Sequence, residues 1–154
     1  MAYMRYKELT KYFNFGEAVN SKTLPSYVID YLYQGEQILD CYKTSRDYGV
    51  FTDQKIILFD CPFSFLNWDI KREITIIPYK SISTCSIVFR LRQAELCLMF
   101  DSGYPMRLKF KNMGRDEKVR LRKLYYCISK IVTKQDFNQD DINDLKQFTK
   151  EKDE

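Results

Sequence analysis

The sequence predicts a mainly β domain of the α+β kind: a bent antiparallel sheet of seven strands, or a partly open barrel, closed by one C-terminal amphipathic helix, with extra helical segments at both ends. Short runs rich in Ile, Val, Tyr and Phe follow one another between residues 37 and 111, with polar breaks between them. After Gly114 the apolar period changes from that of a strand to that of a helix. The chain has 154 residues, 45% hydrophobic and 30% charged, which suits one compact domain with a short appendage.

The first twenty residues are aromatic-rich, and Tyr6, Leu9 and Phe13 recur at helical spacing. A second short helix opens at Leu24-Pro25-Ser26, with Val28 and Leu32 on one face and Gly35 placed to end it. Its role is packing. Three strands follow, Gln37–Thr44, Asp47–Thr52 and Lys55–Asp60, joined by turns at Ser45-Arg46 and Asp53-Gln54. A fourth, Lys71–Ile76, alternates polar and apolar, and Pro78 ends it or marks it as an edge. Ser83–Arg90 and Ala94–Phe100 come next, and after the turn Asp101-Ser102-Gly103-Tyr104-Pro105 a seventh strand, Met106–Lys111, carries Met106, Leu108 and Phe110 on one face.

Leu121, Leu124, Tyr125, Ile128, Ile131 and Val132 then form one stripe on a helix of about five turns. Arg115, Lys118, Arg122, Lys123, Lys130 and Lys134 lie opposite it, and Asp116 and Glu117 occupy the favourable first turn. A last helix has Asn138 as N-cap, Phe137 and Ile142 as staple, and a thin stripe of Ile142, Leu145 and Phe148. Such a helix docks on the domain or stands free for a partner. The expected organisation is an N-terminal helical extension over 1–34, the domain over 35–133 and an acidic helical tail over 134–154.

Composition narrows the chemistry. Histidine is absent, which removes the commonest general base and most zinc site types. The five cysteines, Cys41, Cys61, Cys85, Cys97 and Cys127, contain no Cys-x-x-Cys, and each sits in an apolar run as a core residue would. No Gly-x-Ser-x-Gly, His-Glu-x-x-His or Walker loop occurs. Neither an enzyme, a metal nor a cofactor is expected. The longest uncharged stretch, Ser81–Phe89, is too short to span a bilayer, and the N-terminus has no apolar core of a signal peptide, so the expected compartment is the cytoplasm.

Charge is unevenly spread. Lys134–Glu154 carries four lysines against five Asp and two Glu, whereas Arg107–Lys134 carries ten Lys or Arg against Asp116 and Glu117. The basic stretch fits nucleic acid, anionic lipid or an acidic protein face, or else a solvated surface offset by the acidic tail.

Several blocks in order resemble the bacterial pleckstrin-homology (PH)-like domain family: Gly35-Glu36-Gln37-Ile38-Leu39, Tyr42-Lys43, Arg46-Asp47, Val50-Phe51-Thr52-Asp53-Gln54-Lys55 and Ile76-Ile77-Pro78-Tyr79-Lys80-Ser81-Ile82. The resemblance spans about residues 30–133 and implies the same seven-strand, one-helix layout. It also implies cyclic homo-oligomers and no catalytic activity, while leaving the partner open, because one scaffold serves many functions. Two connections depart from the family pattern: residues 61–70 are aromatic where the family is polar and Gly-rich, and Phe89–Ala94 is short. The first 25 residues and those after Thr133 have no evident counterpart.

Three surfaces are candidates. Phe63, Phe65, Leu66 and Trp68 crowd a connection that would ordinarily be polar, as in an interface or in a loop folded back on its own domain. Lys118, Arg122, Lys123 and Lys130, with Tyr126 beside them, suit a polyanion or an acidic partner. Lys43 and Arg46 lie where the resemblance to eukaryotic PH domains implies phosphoinositide binding, although Arg46-Asp47 also reads as a turn-stabilising pair. The expected function is a non-catalytic protein-interaction module that self-associates. Alternatives are a phage- or plasmid-type inhibitor of a host nuclease or defence complex (an anti-CRISPR or similar), and nucleic-acid or anionic membrane-surface binding through the basic helix face.

Overall fold

The computed structural model describes residues 14–44, 47–60, 72–135 and 139–153, with side chains to residue 147. Its strands are β1 (Asn14–Ala18), β2 (Ile38–Thr44), β3 (Tyr48–Thr52), β4 (Lys55–Asp60), β5 (Glu73–Pro78), β6 (Ile82–Phe89), β7 (Ala94–Phe100) and β8 (Pro105–Phe110). The helices are α1 (Ser26–Ile29), α2 (Arg115–Val132) and α3 (Gln139–Asp153). The strands form one open sheet in the order β5-β4-β3-β2-β1-β8-β7-β6.

The sequence predicts seven strands, and all seven are present with small shifts at their ends. The fourth runs over Glu73–Pro78 rather than Lys71–Ile76, with Pro78 as its last residue on an outer edge, where its missing N–H costs no ladder bond. The eighth strand, β1, corrects the expectation of an all-helical extension over residues 1–34. It pairs antiparallel with β2 and parallel with β8, so it closes a gap that no other described strand fills. Five residues with a glycine in the middle show too little period to be read as a strand, and their neighbours decide the matter. The helix expected around Tyr6, Leu9 and Phe13 lies outside the described residues.

Turn chemistry fixes the registers. Thr52 Oγ1 accepts from the backbone N–H groups of Gln54 and Lys55, both at 3.0 Å, and so tightens the β3–β4 turn. Gly103, at φ +86°, takes the left-handed position of the β7–β8 turn. The second helix is a single turn ending at Ile29. Gly35, at φ +79°, serves a later turn in which the Glu36 N–H donates to Tyr33 O at 3.0 Å.

Two apolar clusters lie on opposite faces of the sheet. The larger fills the bend of the sheet and is covered by α2, which buries Leu121, Leu124, Cys127 and Ile128. The smaller packs Leu24 and Val28 against Cys41, Val50, Ile57 and Phe59. Segment 19–32 therefore covers the outer face of β2–β4, which explains why β4 is buried at every position instead of alternating. In β8, which has one wet face, burial alternates strictly.

Phe15 carries β1 into the larger cluster. Its ring stacks on Phe110 of β8 at 4.8 Å and meets Tyr42 of β2 and Phe51 of β3 at 6.1 and 5.8 Å. It lies across Gly49: a Cβ there would stand 2.2 Å from Phe15 Cε1. Phe15→Ala should cost about 3–5 kcal/mol in urea unfolding, and Gly49→Ala about 1–3 kcal/mol, because three rings hold Phe15 in place. A Gly49→Ala protein as stable as the parent would show that this ring can move.

Candidate functional site

Where β1 parts from β8 a cavity opens. The two strands pair only at Asn14–Lys109 and Phe15–Phe110, and beyond that Gly16–Ala18 diverges from Lys111–Met113. The space is about 430 Å³, within the range of small-ligand pockets, and it is bounded on the third side by the first turns of α2. Glu17, Asp116, Glu117 and Lys111 stand at its wall, with Tyr42 and Arg120 deeper in.

Arg120 is buried and closes the inner end. Its Nε and Nη2 donate to the carboxylate of Asp40 at 3.0 and 2.7 Å, and Nη2 also reaches Val19 O at 3.4 Å. Asp40 accepts further bonds from the Cys41 N–H at 2.9 Å and from Tyr42 Oη at 3.1 Å. Burial pushes the Asp40 carboxyl above the usual carboxylate range, with Arg120 pulling against it. Burial, aided by the Asp40 charge, likewise raises the Tyr42 phenol. Among the described residues no buried side-chain nitrogen or oxygen lacks a partner, the polar atoms of this network included. Its work is to fasten α2 to β2 across 80 residues of chain.

Sequence reasoning missed this pair. The available signal was a charge in the wrong place: Asp40 interrupts the apolar run of β2, and Arg120 sits beside Leu121 on the buried side of α2. Lys55 gives the same signal at the head of β4. Its ammonium, almost wholly buried, lies 3.3 Å from the centroid of the Tyr33 ring and donates to Glu36 Oε2 at 2.8 Å, and Thr52 Oγ1 donates to the same oxygen at 3.0 Å.

The expected basic face of α2 is largely engaged within the chain. Lys118 Nζ bonds the carbonyls of Arg90 and Leu91, the latter at 2.7 Å. Lys123 Nζ donates to Asp144 Oδ2 at 2.6 Å, and Lys130 Nζ to Asp141 Oδ2 at 2.8 Å. Arg122 is exposed, its guanidinium carbon 5.8 Å from the centroid of the Phe89 ring. Lys130 also lies 5.2 Å from the Tyr126 ring, and its hydrogen bond to Asp141 raises its pKa. The acidic carboxylates come from α3, which docks on α2 by burying Ile142 and Leu145. Asn138 and the side chain of Phe148, assigned to the cap and stripe of this helix, lie outside the described residues.

Lys43 is exposed on β2, opposite Tyr48, while Arg46 falls outside the described residues. Asp47 takes other partners: Tyr27 Oη donates to it at 2.6 Å and Arg72 Nε at 3.0 Å. The Arg72 guanidinium lies 3.7 Å from the Tyr27 ring centroid, and burial, then the Asp47 bond, raises the Tyr27 phenol. Phe63, Phe65, Leu66 and Trp68 also lie outside the described residues. Cys41 and Cys127 are buried and Cys85 and Cys97 half-buried.

The remaining surface feature is the opening of the sheet itself. β5 and β6 are its outer strands, and among the described residues neither has a strand beyond it. A groove of about 380 Å³ runs beside β5, lined by Ile76, Ile77 and Pro78 on one side and Phe100, Asp101 and Met106 on the other. Nearby, Ile76 and Met99 are 42% and 41% exposed.

An open, strongly bent sheet with a C-terminal helix over its core is the arrangement of pleckstrin-homology domains, and the profile of the bacterial PH domain family matches residues 9–132. The chain belongs to the bacterial PH domain family. The match begins well before residue 30, so β1, expected to fall outside the domain, is part of it, whereas α3 lies beyond the match. Among solved structures, a protein with a pleckstrin-homology domain from Shewanella loihica is 24% identical with a TM-score of 0.57, over 75% of this chain and 95% of that one. A pleckstrin-homology domain from Shewanella amazonensis is 22% identical, TM-score 0.52, over 74% and 89%. A PH-domain-containing protein from Exiguobacterium sibiricum is 16% identical, TM-score 0.56, over 79% and 63%. These likenesses establish the bacterial PH fold. No curated protein matches the chain. Among the described residues no helix is long and apolar enough to cross a membrane, and no group of three or more Cys, Asp or Glu residues is placed to hold a metal ion.

The Asp40–Arg120 pair makes a clear energetic prediction. Asp40→Ala leaves a buried guanidinium without its carboxylate and should cost about 3–5 kcal/mol in urea unfolding. Replacing both by leucine should recover most of that loss. A double variant no better than the single one would mean that packing, and not the stranded charge, sets the cost.

Proposed function

We propose that this bacterial PH domain is a non-catalytic protein-binding module that self-associates along the open edges of its sheet. The observation that carries this reading is the outer strand β5, which has no strand beyond it among the described residues, beside an apolar groove, with Ile76 and Met99 partly exposed near it. An edge strand offers a row of backbone donors and acceptors to a second chain, and an apolar groove beside it gives side chains a place to go. Because the two edges, β5 and β6, are different strands, association of one with the other is head-to-tail. Such contacts close into rings when the rotation permits. The segment carrying Phe63, Phe65, Leu66 and Trp68 joins β4 to β5, so its anchor points lie at this same edge hairpin, where Asp60 pairs with Glu73. Aromatic anchors there would enlarge the contact.

Light scattering during gel filtration tests the reading. The parent chain should run as a homo-oligomer, and Ile76→Lys with Met99→Lys should reduce it to a monomer without lowering its melting temperature. Phe65→Ser with Trp68→Ser should give a smaller particle if the aromatic segment takes part. A monomeric parent, or a particle unchanged by the lysines, would overturn self-association at this edge.

A further inference from the structure

We propose that the tip of the β6–β7 hairpin, Leu91 between Arg90 and Arg92, docks this protein on an anionic lipid bilayer. The leucine enters the headgroup boundary, and the flanking arginines, with Arg115 and Arg122 of α2, hold lipid phosphates. The surface takes no residue from the β5 edge or its groove, and the inference does not rest on self-association.

Leu91 is 89% exposed, more than any other large apolar side chain among the described residues. A lone exposed leucine calls for no explanation by itself. What marks this one is the backbone beneath it. All four carbonyl groups of the tip are used within the chain. Lys118 Nζ donates to those of Arg90 and Leu91, the latter at 2.7 Å. The Met113 N–H donates to that of Arg92 at 2.9 Å, and the Arg90 N–H to that of Gln93 at 2.8 Å. A carbonyl without a partner is costly to take out of water, so a tip whose acceptors are already occupied enters the headgroup boundary at little penalty. The same bonds fasten the loop to α2 on one side and to Met113 on the other, so Leu91 projects from a fixed base.

Charge gathers at the same place. Arg115, Lys118 and Arg122 follow one another at three and four positions and so share one face of α2. Lys118 reaches the hairpin tip from that face, and Arg122 lies 5.8 Å from the Phe89 ring at the end of β6. Asp116 and Glu117 line the cavity beside β1 instead. Arg90, Arg92, Arg115 and Arg122 are exposed, and among the described residues none of them makes an ion pair. Lys123 and Lys130, farther along α2, do. An arginine fork bonds phosphate at two oxygens while its alkyl stem lies along an apolar boundary. A protein partner needs a matching hollow and about 800 Å² of contact, which a projecting tip with one apolar side chain does not offer. A nucleic-acid backbone takes up the arginines but leaves Leu91 in water. An anionic bilayer receives both without a pocket, so the observations favour it.

Co-sedimentation of the full-length chain with vesicles tests the proposal. The chain should bind vesicles of phosphatidylcholine with about one-third phosphatidylglycerol, and bind phosphatidylcholine alone roughly tenfold more weakly or worse. Arg90→Glu with Arg92→Glu should lower binding to the anionic vesicles roughly tenfold, and Leu91→Asp by a similar factor. Neither change should move the melting temperature, because these side chains are exposed. Insertion is read directly from Leu91→Trp. Anionic vesicles should shift its emission to the blue relative to the parent, whose one tryptophan is Trp68, and lipids brominated in the acyl chains should quench it. The proposal fails if the parent ignores anionic vesicles, if Leu91→Asp binds them as tightly as the parent, or if the Leu91→Trp spectrum does not shift. It fails too if neutral vesicles bind equally well. A random-sequence DNA duplex bound more tightly than the vesicles, and no more weakly by Leu91→Asp, would assign the arginines to a nucleic-acid backbone instead. Each of these variants leaves Ile76 and Met99 in place, so the hairpin tip and the β5 edge stand or fall separately.

Discussion

Five residues of β1 join the two halves of the sheet. On one side stand β2 to β5 and on the other β8 to β6, and among the described strands only β1 bonds to both, antiparallel to the first and parallel to the second. So short a strand contributes few ladder bonds, and its hold comes from Phe15. The ring reaches Phe110 on one side and Tyr42 and Phe51 on the other, and its position over Gly49 leaves no room for a side chain there. A buried aromatic side chain removes a large apolar area from water, and edge and stacked contacts add to that. Phe15 thus lies between the two halves of the sheet and packs on rings from both.

The other features follow from that seam. β1 must leave β8 to continue toward segment 19–32, and the cavity beside Arg120 is the space left by its departure. The Asp40–Arg120 pair then fastens α2 to the β2 side of the same seam, with the Val19 carbonyl included. Segment 19–32 passes to the outer face and buries β4 from behind, and the Glu36–Lys55 pair ties its end to the β3–β4 turn. Buried ion pairs add little net stability over apolar packing, but each is costly to break. Here they specify which elements meet.

Charge in this chain is managed locally. The basic stretch centred on α2 meets in space the acidic tail that follows it in sequence, so Lys123 and Lys130 pair with carboxylates at a partly exposed surface. The apolar edge at β5 and the basic stretch of α2 are separate surfaces with different chemistries.

The sequence by itself determined the seven strands with alternating or continuous apolar runs, the turns at Asp53-Gln54 and Gly103, the stripe of α2 and the family. Each is written in residues a few positions apart, where period and turn chemistry act directly. It also marked α3 as amphipathic and acidic, and left open whether that helix docks. Only the tertiary structure decided that Asn14–Ala18 is a strand, since its conformation depends on β2 and β8, which are distant in sequence. The same holds for Asp40 with Arg120 and for Lys55 with Glu36: a misplaced charge announces that a partner exists, but pairwise attraction acts through space and leaves no spacing in the chain by which to name it.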